Sequence, residues 1–224
     1  MIEKIILENG NLDFNWLSKN LIKCQLEINS RKNYNKIYKT HSIRSSYFTN
    51  ETVNLGFIYI IRDPRDIVVS LSKHAGTTLD NTIDIIKNKK NLMSTANGAN
   101  ELISTWGENV ISWLTYVNVS RLIIRYEDLV ENTEVIILDI INFINRITNN
   151  ELVNKNINVH KIIKNTEFKN LQKLETKYGF KEATKHTNFF RIGKTNQWMN
   201  VLSTNQIKKI ELKYSKLMKD FKYL

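Results

Sequence analysis

The sequence predicts an α/β fold in which a parallel sheet is flanked by helices, and three observations carry that reading. Leu55 to Ile61 is an uninterrupted, β-branched-rich apolar run, as strands buried on both faces tend to be. Arg121 to Tyr126 forms a further short strand candidate. Stretches of helical periodicity separate and follow these runs, and strands that alternate with helices pair in parallel.

Taken in order, residues 1–35 read as helical in patches, with Trp16, Leu17, Leu21, Ile22 and Ile28 spaced to share one face. Ile37-Tyr38 is a short strand leading into Thr40-His41, so a first strand is expected near 37–39. A second, near 56–62, ends at Arg62, and Asp63-Pro64 turns the chain into a helix over Arg65 to His74. Asp63 is a good N-cap, and Pro64 suits the first turn, where its missing N–H costs nothing. The stretch from Gly76 to Gly98 is polar, with a helix near Leu79 to Asn88. A helix over Glu101 to Asn118 would set Trp106, Val110, Trp113, Leu114 and Val117 on one stripe. A strand near 121–126 and an amphipathic helix over Thr133 to Ile147 follow. Helical signal continues from Leu152 to Lys177. Ser203 opens the last helix with a capping box closed by Gln206. Ile207, Ile210, Tyr214, Leu217 and Phe221 form its packed face.

At 224 residues, without an internal repeat or linker, the chain reads as one domain. A formal charge of +11 points to anionic partners: nucleic acid, an anionic membrane surface or a phosphorylated small molecule. Lysine and arginine are scattered rather than blocked, which favours a general positive field over a dedicated nucleic-acid surface. The only cysteine, Cys24, can form no internal disulfide and fits a reducing compartment. The first ten residues do not read as a signal peptide, and no apolar run approaches a membrane span. A cytoplasmic setting is expected. His74, His160 and His186 lack the paired spacing of metal ligands, so no metal site is expected.

The segment FIYIIRDPRDIVVS, Phe57 to Ser70, carries the strongest functional signal. A buried strand delivers Arg62 to the sheet's carboxyl edge beside a helix N-terminus, where open α/β sheets bind anions. Ser70, two helical turns on, could add a hydroxyl. Alone, the same residues also fit a capped helix with a solvated arginine.

This segment resembles the 3′-phosphate-binding motif of sulfotransferases that use 3′-phosphoadenosine 5′-phosphosulfate (PAPS). Three further stretches match that family in order: YKTHSI at Tyr38 to Ile43, IIRYEDL at Ile123 to Leu129, and FFRIGKTNQWMNVLS at Phe189 to Ser203. The resemblance runs from about Lys36 to the C-terminus and implies a P-loop-NTPase-like sulfotransferase fold. It also implies sulfuryl transfer from PAPS to a hydroxyl or amine of a small-molecule acceptor. His41 is implied as the general base and Lys39 as a cation near the transferring group. Histidine titrates near neutrality, and sulfuryl transfer resembles phosphoryl transfer in relying on positioning and charge stabilisation.

Arg62 and Ser70, and Arg191 with Gly193, match the family's 3′-phosphate contacts; guanidinium offers phosphate a fork of donors that lysine cannot. Ile192 stands where the family usually has a basic residue, and Gln197-Trp198 where it often has Gly-Asp-Trp. Trp198 reads as structural. Tyr126, Thr166 and Phe168 match adenine-contacting positions, although Tyr126 by itself reads as a strand-terminal tyrosine and Phe168 as a core residue.

The family normally begins with a strand and a Pro-Lys-Ser-Gly loop that cradles the 5′-phosphosulfate. None of the seven glycines lies in such a context. The expectation is a single sulfotransferase domain, 1–224, lacking its first strand and loop. A fragment of an ordinary enzyme is the favoured explanation. The others are a degenerate member that binds nucleotide without turnover and an unrecognised replacement element within the first 35 residues. The alternative function is a non-catalytic nucleotide-, anion- or nucleic-acid-binding protein of the same fold.

Overall fold

The computed structural model describes residues 39–44, 54–94, 100–149, 158–180 and 182–224. In chain order the elements are β1 (Gly56–Ile61), α1 (Pro64–Ala75), α2 (Leu79–Ile86), β2 (Leu92–Ser94), β3 (Asn100–Leu102), α3 (Trp106–Leu114), β4 (Ser120–Arg125), α4 (Tyr126–Glu131), α5 (Thr133–Thr148), α6 (Val159–Thr166), α7 (Phe168–Tyr178), a 3-10 turn (Gln197–Asn200) and α8 (Thr204–Asp220). The helical patches expected over 1–35, Cys24 among them, lie outside the described residues, as do Ile37 and Tyr38. Lys39, the end of the expected first strand, is in no strand.

β1 and β4 pair in parallel from Gly56↔Ser120 to Ile61↔Arg125, the expected crossover between two apolar strands. Asp63 caps α1 by accepting the Arg65 backbone N–H, and Gly76 ends that helix in the left-handed conformation. The capping box at Ser203 and Gln206 is formed, and α8 buries Ile210, Tyr214 and Met218. These meet Val68 and Val69 of α1, Ile83 and Ile86 of α2, and Trp106 and Val110 of α3 in one core. Ile207, Leu217 and Phe221 pack at its margin. The Tyr214 hydroxyl donates to the Ile86 carbonyl at 2.7 Å, a partner that a buried phenol needs. Among the described residues, no helix is long and apolar enough to cross a membrane.

Two expectations need correction. The helix expected over Glu101 to Asn118 spans only Trp106–Leu114, because Asn100–Leu102 pairs antiparallel with Leu92–Ser94 instead. Ser104 adopts φ 60, and Thr105 then caps the helix by accepting the Glu108 N–H at 3.1 Å. The Glu108 carboxylate accepts the Ser104 hydroxyl at 2.6 Å and pairs with Lys89. These contacts, the Ser104 hydroxyl foremost, hold its carboxyl down at about 2. Val117, past the helix end, is 67% exposed rather than on the stripe. The second correction concerns Tyr126, which opens α4 rather than closing the strand. Farther on, the helical signal after Leu152 resolves into α6 and α7, broken at Glu167, whose ψ of 135 is non-helical.

Candidate functional site

The register of the parallel pair sets the geometry. With Ile61 opposite Arg125, the next residues, Arg62 and Tyr126, leave the sheet side by side. The Arg62 guanidinium lies 4.3 Å from the Tyr126 ring centroid. Its Nη2 donates to the Lys194 carbonyl at 3.1 Å and stands 3.5 Å from Asp66 Oδ2. Its Nε is buried and lacks a partner among the described residues, so an unused donor remains at the sheet's carboxyl edge.

The other charges of the Arg62–Asp66 motif are spent internally. Asp63 holds Arg65 through both carboxylate oxygens, at 3.0 and 2.6 Å. Arg65 also reaches Glu211 at 2.5 Å and the Tyr223 carbonyl at 2.6 Å, and stacks 3.8 Å from Trp198. Trp198 is therefore structural, a lid on the arginine that ties α1 to the chain's last residues. Asp66, 1% exposed, accepts the backbone N–H groups of Asn196 at 2.8 Å and Trp198 at 3.1 Å. Glu127 on α4 accepts the Asp63 N–H at 3.2 Å and the Tyr223 hydroxyl at 2.9 Å. Burial foremost, and then this carboxylate, push the Tyr223 phenol up.

A second segment is brought to the same edge by α7. Glu175, 7% exposed, accepts the N–H groups of Phe189 and Phe190 at 2.7 and 2.9 Å. Gln172 donates to the carbonyls of Phe190 and Arg191 at 3.0 and 3.2 Å. Arg191 Nη2 then donates to Gln197 Oε1 at 3.0 Å, and Gln197 Nε2 to the Lys194 carbonyl at 2.8 Å. Gly193 sits at φ +64 with a would-be Cβ only 2.2 Å from the Phe168 ring, so glycine is required on both counts. Phe168 in turn packs edge-on to Phe190, centroids 6.2 Å apart.

Arg62, Tyr126, Arg191, Gly193 and Phe168 thus gather in one network of hydrogen bonds and ring contacts. Ser70, half-buried on α1, and Thr166 make no described bond to it. The Thr166 hydroxyl donates to the Ile162 carbonyl of its own helix at 2.8 Å.

Lys39 and His41 belong to the separate short segment 39–44. The Lys39 ammonium donates to both Glu182 oxygens at 2.7 and 2.5 Å and lies 5.8 Å from the Phe189 ring centroid. Phe189 is therefore the junction between the two segments. The His41 backbone is pinned: its N–H donates to Glu101 Oε1 at 3.1 Å, and its carbonyl accepts from Asn109 Nδ2 at 3.0 Å. Partial desolvation first, then the neighbouring Lys39 charge, hold the imidazole below the ordinary 6.5. It is neutral at pH 7 and able to accept a proton. Among the described residues, no three His, Cys, Asp or Glu side chains gather as a metal site.

Several supporting residues escaped sequence reasoning. Asp66 could have been noticed as the acid of the first helical turn. Glu101, Glu175 and Gln172 act across separations of 14 residues or more that leave no local pattern. Gln197, within six residues of its partners, forms no recognised cap or turn motif.

The parallel β1–β4 pair flanked by helices is an α/β architecture, and Arg62 and Arg191 both bond into the Lys194–Gln197 turn beyond it. The family model for the sulfotransferase domain matches residues 3–222, and the chain belongs to that family. Among solved structures, it is similar to a mouse sulfotransferase complexed with PAP. The two share 18% identity at a TM-score of 0.51, over 72% of this chain and 58% of that one. Retinol dehydratase also aligns, once in complex with retinol and PAP and once with androsterone and inactive cofactor PAP. In both cases identity is 19% and the TM-score 0.48, over 73% of this chain and 47% of that one. The chain therefore spans about half the length of these proteins. No curated protein sequence matches it.

Proposed function

We propose that the protein binds PAPS and transfers its sulfuryl group to a hydroxyl or amine of a small-molecule acceptor. One observation carries the reading: Arg62 and Arg191, far apart in sequence, both bond into the Lys194–Gln197 turn at the sheet's carboxyl edge. Two guanidinium groups held there suit a dianionic phosphate. In this reading they hold the donor's 3′-phosphate, with Ser70 adding a hydroxyl and the Gly193 backbone approaching closely. Tyr126, Phe168 and Thr166 border the adenine. His41 takes the acceptor proton as the acceptor oxygen or nitrogen attacks sulfur. The sulfur–oxygen bond to the phosphate breaks, and adenosine 3′,5′-bisphosphate leaves. Lys39, freed from Glu182, offsets charge on the transferring group. A cytoplasmic setting belongs to the same reading.

The second reading, a nucleotide-binding protein without turnover, is favoured by a sequence fact: none of the seven glycines lies in a Lys-Ser-Gly context. Transfer of labelled sulfate from PAPS across phenols, alcohols and amines separates the two. Turnover abolished by His41→Ala supports the enzyme. Tight binding of adenosine 3′,5′-bisphosphate without turnover supports the alternative. Preference for plain nucleic acid over the bisphosphate would sink both.

A further inference from the structure

The two candidate phosphate arginines are linked through one neutral side chain and one backbone carbonyl. Gln197 accepts from Arg191 Nη2 with its amide oxygen and donates to the Lys194 carbonyl with its amide nitrogen. The same carbonyl accepts from Arg62 Nη2. The turn carrying Gln197 is itself fixed, because Asp66 accepts the N–H groups of both its chain neighbours, Asn196 and Trp198. We propose that Gln197 is a positioning residue whose amide couples Arg62 and Arg191 into one anion-binding unit specific for the 3′-phosphate. The proposal rests on the donor reading above and deepens it.

The chemistry of the amide is what the position requires. It accepts from a guanidinium with one atom, donates to a carbonyl with the other, and adds no charge. A carboxylate of the same length would pair with Arg191, cancel part of the field meant for phosphate, and lose the donor to Lys194. The Lys194 carbonyl would then face Arg62 alone, free to shift. Methionine matches the length and offers neither bond. Either change therefore uncouples the arginines, but only the carboxylate also removes charge.

The test is calorimetric binding of adenosine 3′,5′-bisphosphate and of adenosine 5′-phosphate, which has no 3′-phosphate. It compares the 224-residue protein with Gln197→Met, Gln197→Glu and Arg62→Ala. Both Gln197 variants should lose about 10-fold or more in bisphosphate affinity, as expected for bonds to charged groups, while the 5′-phosphate changes less than about two-fold. Gln197→Glu should also show a shallower salt dependence than Gln197→Met, because it alone removes charge. A merely structural role would move both nucleotides together. Bisphosphate affinity unchanged in a variant whose melting shows it folded, or equal loss of both nucleotides, overturns the proposal. If one variant fails to fold, the other decides. Failure of the underlying reading looks different: the parent protein would not distinguish the nucleotides, and Arg62→Ala would be inert.

Discussion

The Arg62 guanidinium lies 4.3 Å from the Tyr126 ring because β1 and β4 run parallel, with Ile61 opposite Arg125. A slip of one residue would send the two side chains to opposite faces. Strand register thus places a cation and an aromatic ring together where the chain leaves the sheet.

Replacing Arg62 with alanine should weaken binding of adenosine 3′,5′-bisphosphate by about 2 kcal/mol or more, the scale of a lost charge-assisted pair. Stability should change little, since Asp66 keeps its two backbone donors. Calorimetry and thermal melting check the two halves. Unchanged affinity in the folded variant would remove Arg62 from the site.

Asp66→Ala should affect stability as well as binding. It leaves two backbone N–H groups without their acceptor and costs about 2–3 kcal/mol of stability. The lower melting temperature should accompany weaker bisphosphate binding, because the turn carrying Lys194 and Gln197 comes loose. A variant as stable as the parent would show that this carboxylate is dispensable.

Gly193→Ala should be destabilising by about 1–3 kcal/mol, because φ +64 strains any side chain and the new methyl collides with Phe168. In the proposed reading Phe168 borders the adenine, and on that reading 3′-phosphoadenosine compounds should lose more affinity than inorganic phosphate. Equal affinity losses would count against the role given to Phe168.

For His41 the pH dependence has a definite sign. Its folded pKa is lowered, so the neutral form is favoured by folding. The associated stability is present above the ordinary 6.5 and is lost as pH falls through the lower, folded value. The acidic limb of the rate profile should accordingly lie below 6.5. Glu182→Gln removes a charge that raises this pKa and should move the limb further toward acid. A limb at or above the ordinary value, or one that survives His41→Ala, would exclude His41 as the base.

The elements that the sequence revealed are those governed by neighbours within about four residues. Asp63 with Pro64, and Ser203 with Gln206, set helix starts through bonds to their own first turns. The apolar run before Arg62 could pair only inside a sheet, and the motif resemblance joined its end to Arg191. Where sequence reasoning failed, a distant partner outweighed a local preference. Glu101 continues a helical pattern in sequence, yet β3 pairs with β2, and Glu101 instead binds Thr40 and the His41 N–H.

By itself the sequence determined the strand–turn–helix around Arg62, the last helix and the family, because caps, apolar periodicity and motif order are short-range properties. Only the tertiary structure decided that Arg62 meets Tyr126 and the Lys194 carbonyl, that Lys39 is held by Glu182, and that Gln197 bridges to Arg191. Each of these bonds, apart from the last, joins segments distant in the chain, and Gln197 itself is flanked by Asn196 and Trp198, whose N–H groups the distant Asp66 accepts. Such contacts depend on how helices and strands pack, which no local pattern encodes.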